Sequence, residues 1–157
     1  MNPFRWRWYG VCGVLLILAA CDNNPSGVAP TPTPPQVGAF QYAPDSINAA
    51  ALPPDQVSDG TARVLIDMGV RAADADGAVA RVVYTLAPAS APQAAISGPL
   101  QPAAGNRYEA RLNVGVPATL NTQYTLRVYA IDNDSLVSNQ VQGRIRFVPA
   151  DAPEASP

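Results

Sequence analysis

Ala62-Arg63-Val64-Leu65-Ile66-Asp67-Met68-Gly69-Val70-Arg71 is the stretch that decides the fold. Ala62, Val64, Ile66, Met68 and Val70 fall on one side of an extended chain, and Arg63, Asp67 and Arg71 fall on the other. Successive side chains of a strand point to opposite faces, so this period of two predicts a half-buried β-strand. Four later segments repeat the pattern. Ala80, Val82, Tyr84 and Leu86 oppose Arg81, Val83 and Thr85. Tyr108, Ala110, Leu112 and Val114 oppose Glu109, Arg111 and Asn113. Tyr124, Leu126, Val128 and Ala130 oppose Thr125, Arg127 and Tyr129. Val141, Gly143, Ile145 and Phe147 oppose Gln142, Arg144 and Arg146. No window carries a helix-period stripe of comparable quality.

Turn residues punctuate these runs: Asp59-Gly60, Asp74-Ala75-Asp76-Gly77, Ala104-Gly105-Asn106 and Asp132-Asn133-Asp134. An extended piece near Phe40 to Ile47 opens the domain. About seven short strands with one apolar face each predict an all-β fold of two antiparallel sheets packed face to face. Arginines on the outer faces favour solubility and discourage edge-to-edge pairing. The Asp74-Ala75-Asp76-Gly77 turn between two strands, and Tyr124-Thr125-Leu126-Arg127-Val128-Tyr129-Ala130 with the turn after it, resemble bacterial immunoglobulin-like or fibronectin type III-like domains. The resemblance implies an immunoglobulin-like antiparallel β-sandwich over residues 38–149, with Tyr124 where such folds often keep a tyrosine corner. The pattern of two cysteines around a tryptophan is missing, which excludes antibody-type domains; both tryptophans, Trp6 and Trp8, precede the domain.

The N-terminus reads differently. Met1 to Gly10 holds Arg5 and Arg7 and no acid, and Val11 to Ala20 is an apolar run. A spanning helix needs about 20 apolar residues, so this run has the length of a signal-peptide core instead. It ends in Leu18-Ala19-Ala20-Cys21, which resembles the lipobox of bacterial lipoproteins. The resemblance implies a signal peptide over residues 1–20, cleavage before Cys21, diacylglycerol on its thiol and an acyl chain such as palmitate on the freed amine. Several chains anchor durably where one does so only marginally. Cys12 lies inside the signal peptide, so no free thiol remains after processing. Asp22 resembles the inner-membrane retention signal of enterobacterial lipoproteins; beyond that group, both membranes of the envelope stay open. Residues 21–37 form a Pro/Thr-rich linker whose polyproline II rise of roughly 3 Å per residue reaches on the order of 40 Å. Residues 150–157 form a short acidic tail expected to be disordered.

Composition limits the function. Basic residues are ten arginines, with no lysine and no histidine; removal of Arg5 and Arg7 leaves eight against twelve acids, a net charge of −4. Such a chain has no overall electrostatic footprint for nucleic acid. Acid–base and nucleophilic chemistry usually recruits His, Cys, Lys or paired carboxylates, and no phosphate loop or Cys/His metal spacing is present. The reading is therefore not an enzyme, with no cofactor required. Its partners are the membrane, through the anchor, and another envelope protein or a glycan. One acidic set stands out: Asp74 and Asp76 on one loop, and Asp132, Asn133 and Asp134 on another, emerge from the same end of the expected sandwich. Ca²⁺ takes about six to eight oxygen ligands, which such a set could begin to supply. Tight turns favour the same residues, so turn chemistry and a Ca²⁺ site both stand. Tyr129, on an outer face, is the best-placed aromatic for stacking on a sugar.

Overall fold

The computed structural model describes residues 31–150. The expected signal peptide 1–20, Cys21, Asp22, the linker as far as residue 30 and the tail from residue 151 lie outside the described residues.

The described chain is all-β, with nine strands and three single-turn 3-10 segments. Strands β1 (Gln36–Ala43), β2 (Ser46–Asn48), β3 (Val57–Ser58), β4 (Thr61–Ala73), β5 (Val79–Pro88), β6 (Ile96–Ala103), β7 (Arg107–Pro117), β8 (Thr122–Asp132) and β9 (Val141–Val148) follow one another along the chain. They hydrogen-bond in the order β1-β4-β7-β6-β5-β8-β9-β2, with β3 beside β4. All ladders are antiparallel except β2 with β9, so the sheet is mixed. The sheet curls because β6 serves two neighbours: Ile96 to Leu100 pair with β5, and Gln101 to Ala103 pair with β7.

Burial follows the alternation read from the sequence. Along β4, Ala62, Val64, Ile66, Met68, Val70 and Ala72 are buried and their neighbours are not. Leu86, Val82, Leu126, Val128 and Ile145 come from the other arm of the curl and pack into the same cluster. Every such side chain removed from water contributes roughly 1.5–3 kcal/mol, so this shared interior holds the curl together. One expectation is corrected. Ala80, placed inward on the sequence, is exposed, because the β5–β8 register slips between Val79 and Arg81. A bulge there adds a residue, and Val79 takes the inward role instead.

The turns also behave as their residues dictate. Asp59 and Gly60 both adopt positive φ (50° and 71°), the geometry of a two-residue hairpin whose twist matches its strands. The fold begins earlier than residue 38: β1 opens at Gln36, and the Pro35 side chain is fully buried.

One seam is not made by a ladder. β1 lies at one end of the strand order, and β9 is covered by β2 only over Arg146 to Val148. Side chains join the two. The Tyr42 hydroxyl donates to the Arg144 carbonyl (3.1 Å) and accepts from the Arg144 N–H (3.0 Å). The Asn139 amide accepts from the Val37 N–H (2.9 Å) and donates to the Val37 carbonyl (2.8 Å). Each side chain thus takes the part a neighbouring strand residue would play, and Asn139 satisfies part-buried Val37 groups that would otherwise be left orphaned.

Candidate functional site

The turn that joins β4 to β5 and the turn that follows β8 lie together, as the sequence predicts. The Asn133 N–H donates to the Ala78 carbonyl (3.1 Å), and its Oδ1 accepts from the Ala78 N–H (2.8 Å). Gly77 makes the approach possible: a Cβ there would lie 2.6 Å from Asn133 Oδ1 and 2.8 Å from Asp74 Oδ2. Two oxygens from different loops therefore converge over a residue that has no side chain.

The other members of the acidic set have different partners. Asp76 is held by Thr33, whose N–H donates to Oδ2 (2.9 Å) and whose hydroxyl donates to Oδ1 (2.7 Å). The Thr33 hydroxyl, followed by its N–H, holds the Asp76 carboxyl below its ordinary pKa by stabilising the ionised form. Asp132 is buried, and its Oδ1 accepts from the N–H groups of Asp134 and Leu136 (2.8 Å each). This carboxylate folds its own turn, in which Ser135 adopts φ 68°. Its Oδ2 is buried with no partner among the described residues. The Asp134 side chain is exposed. The structure thus brings Asp74 and Asn133 together, keeps Asp76 beside Asp74, to whose Oδ1 the Asp76 N–H donates (3.3 Å), and directs Asp132 into its own turn. Among the described residues, no three His, Cys, Asp or Glu side chains gather as a metal-holding group.

A second feature lies on the outer face of β4 and β7. A shallow depression of about 570 Å³ is lined by Gln41, Asp67, Gly69, Arg107, Glu109 and Arg111, among others. Gly69 leaves the gap, since it stands between Met68 and Val70 where an outward side chain would otherwise project. Arg111 grips Asp67 with both nitrogens, Nε to Oδ1 and Nη2 to Oδ2 (3.1 Å). This hydrogen bond lowers the Asp67 pKa and raises that of Arg111. Arg107 pairs with Glu109 at 2.9 Å. Both pairs are about half exposed, and such surface pairs are worth about 0–1 kcal/mol. They set the charge pattern of this face more than its stability.

Tyr129 lies on the outer face of β8, opposite Val83 of β5, and is half-buried. Tyr124 faces inward and packs edge-on against Phe147, with ring centroids 5.1 Å apart. Sequence reasoning missed Tyr42 and Asn139, whose contacts span 102 residues of chain. Gly69 carried a visible signal, because a glycine in mid-strand often marks a close approach or a gap. Among the described residues no helix is long and apolar enough to cross a membrane. No protein-family model matches the chain, and no curated protein matches it.

Proposed function

We propose that the chain is a membrane-anchored lipoprotein of the bacterial cell envelope. Lipid on Cys21 holds it, and residues 38–149 act as a non-catalytic immunoglobulin-like module for protein–protein contact or envelope structure. The observation that carries the anchor is Leu18-Ala19-Ala20-Cys21 behind an apolar run too short to span a bilayer. The curled all-β body, with two arms packed over one interior, supports the immunoglobulin-like reading. An open strand edge supports the contact role: β6 covers β7 only over Arg107 to Glu109, leaving Ala110 to Pro117 without a strand neighbour on that side among the described residues. Such an edge can take an added strand from a partner.

Intact mass of the membrane-extracted protein beside its Cys21→Ser variant tests the anchor. Acyl mass in the wild type and none in the variant is the expected result. An unmodified wild type in the soluble fraction would sink the proposal.

A second reading, a Ca²⁺-binding module, draws on the convergence of Asp74 Oδ2 and Asn133 Oδ1 at Gly77 and on Asp132 Oδ2, buried with no partner among the described residues. On that reading, the melting temperature of the full chain climbs with calcium and the rise disappears in Asp74→Ala. A flat response with calcium rejects it.

A further inference from the structure

The charges of this acidic chain are sorted by place. Among the described residues, the only acids on outward strand positions are Asp67 and Glu109, both on the β4–β7 face and both paired with arginine. The opposite face, formed by β5, β8 and β9, carries Arg81, Arg127, Arg144 and Arg146 on outward positions and no acid on any outward position; Asp132, at the end of β8, is buried. None of these four arginines makes a salt bridge among the described residues; the Arg146 guanidinium donates to the neutral Asn121 Oδ1 (2.8 Å).

Register sets their spacing. Arg127 stands opposite Gln142 and Thr85, while Arg144 stands opposite Thr125 and Arg146 opposite Gln123. Arg127 and Arg144 are therefore diagonal neighbours on adjacent strands, about 7–8 Å apart, and Arg146 is two residues beyond Arg144 on β9. Arg81, opposite Ile131, is the diagonal neighbour of Tyr129, and Arg127 is two residues from Tyr129 on the same strand. Half-buried Tyr129 thus stands between two arginine positions, with amides and hydroxyls at the positions between the arginines.

Like charges placed this close repel one another, so the face costs stability unless an anion joins it. We propose that this face is a docking surface for an acidic polysaccharide. Guanidinium groups recognise carboxylate or phosphate groups along the polymer, Tyr129 stacks on a sugar ring, and the glutamines and threonines bond its hydroxyls. A polysaccharide fits better than a lipid surface: amides and hydroxyls alternate with the arginines along β8 and β9, and of the large exposed apolar residues Leu65, Ile96 and Val137 only Val137, beside Ile131 at one end of the face, could insert. The inference stands whether or not Cys21 carries lipid.

The test is retention of the full chain, purified in detergent, on immobilised polygalacturonate at low ionic strength, with neutral dextran as the control matrix. Retention on polygalacturonate alone, lost with rising salt, is expected. The Arg127→Gln/Arg144→Gln variant should bind about tenfold or more weakly, since it loses two charge-assisted contacts. Tyr129→Ala should weaken binding severalfold, and Arg71→Gln, on the other face, should change it little. Unchanged melting temperatures would establish that the variants are folded. No retention, or equal losses in the Arg71→Gln and Arg127→Gln/Arg144→Gln variants, would overturn the proposal. So would stronger competition by phosphatidylglycerol vesicles than by soluble polygalacturonate, which would mark the face as a lipid contact.

Discussion

Gly143 lies directly beneath the ring of Tyr42, and a Cβ there would overlap the ring carbons. Gly143→Ala should therefore push Tyr42 off Arg144 and destabilise the fold by about 1–3 kcal/mol, the range for overpacking a well-filled interior. Equilibrium denaturation checks this; a variant as stable as wild type would mean the ring moves aside without loss. Asp132 makes a paired comparison. Asp132→Asn keeps an acceptor for the Asp134 and Leu136 N–H groups, whereas Asp132→Ala orphans both. The alanine variant should be the less stable by about 1–3 kcal/mol. Asp76 gives a prediction with a sign. Its folded pKa is depressed, so the Thr33 tie stabilises the fold above the ordinary Asp pKa of about 3.9 and is lost as pH falls through the lower folded value. A carboxyl titration by NMR should show the Asp76 midpoint rising toward the ordinary value in Thr33→Ala. An unmoved midpoint would remove Thr33 as the cause.

Among the strands, those with an uninterrupted alternation were the legible ones. β4, β7, β8 and β9 match the sequence reading in position and in the face they bury, because one side of each packs on the interior and the other meets water. β5 was legible except at Ala80, since a bulge leaves no mark in a pattern of small apolar residues. β6 was not legible: Ile96-Ser97-Gly98-Pro99-Leu100-Gln101-Pro102-Ala103 has no period, and Pro99 and Pro102 argue against a strand between two neighbours. It is tolerated because β6 is paired on one side at a time, with β5 first and β7 afterwards. The acidic loops were legible as neighbours; the Thr33 tie to Asp76 was not, since Thr33 comes from a segment read as linker. The β3–β4 hairpin carries its own test. Gly60 sits at φ 71°, where a side chain is strained, so Gly60→Ala should cost about 1–2 kcal/mol. A smaller loss would mean the turn relaxes to another type.

Taken whole, the molecule is held by a common interior and closed by a seam of two side chains. Asn139→Leu should leave both Val37 backbone groups without their partner and lower stability by about 1–3 kcal/mol. Hydrogen exchange would locate the loss: the Val37 amide should exchange faster in the variant, while those of the β4–β7 ladder keep most of their protection. Equal acceleration throughout would mean the seam does not open separately. The seam also imposes an order in time. Val37 and Tyr42 wait for partners that lie 102 residues further along the chain. A ribosome delivers the first long strand well before the last, and contacts so distant in sequence form slowly. Until β9 emerges, the outer edge of β1 has nothing to meet, and the nascent chain carries an unfinished border.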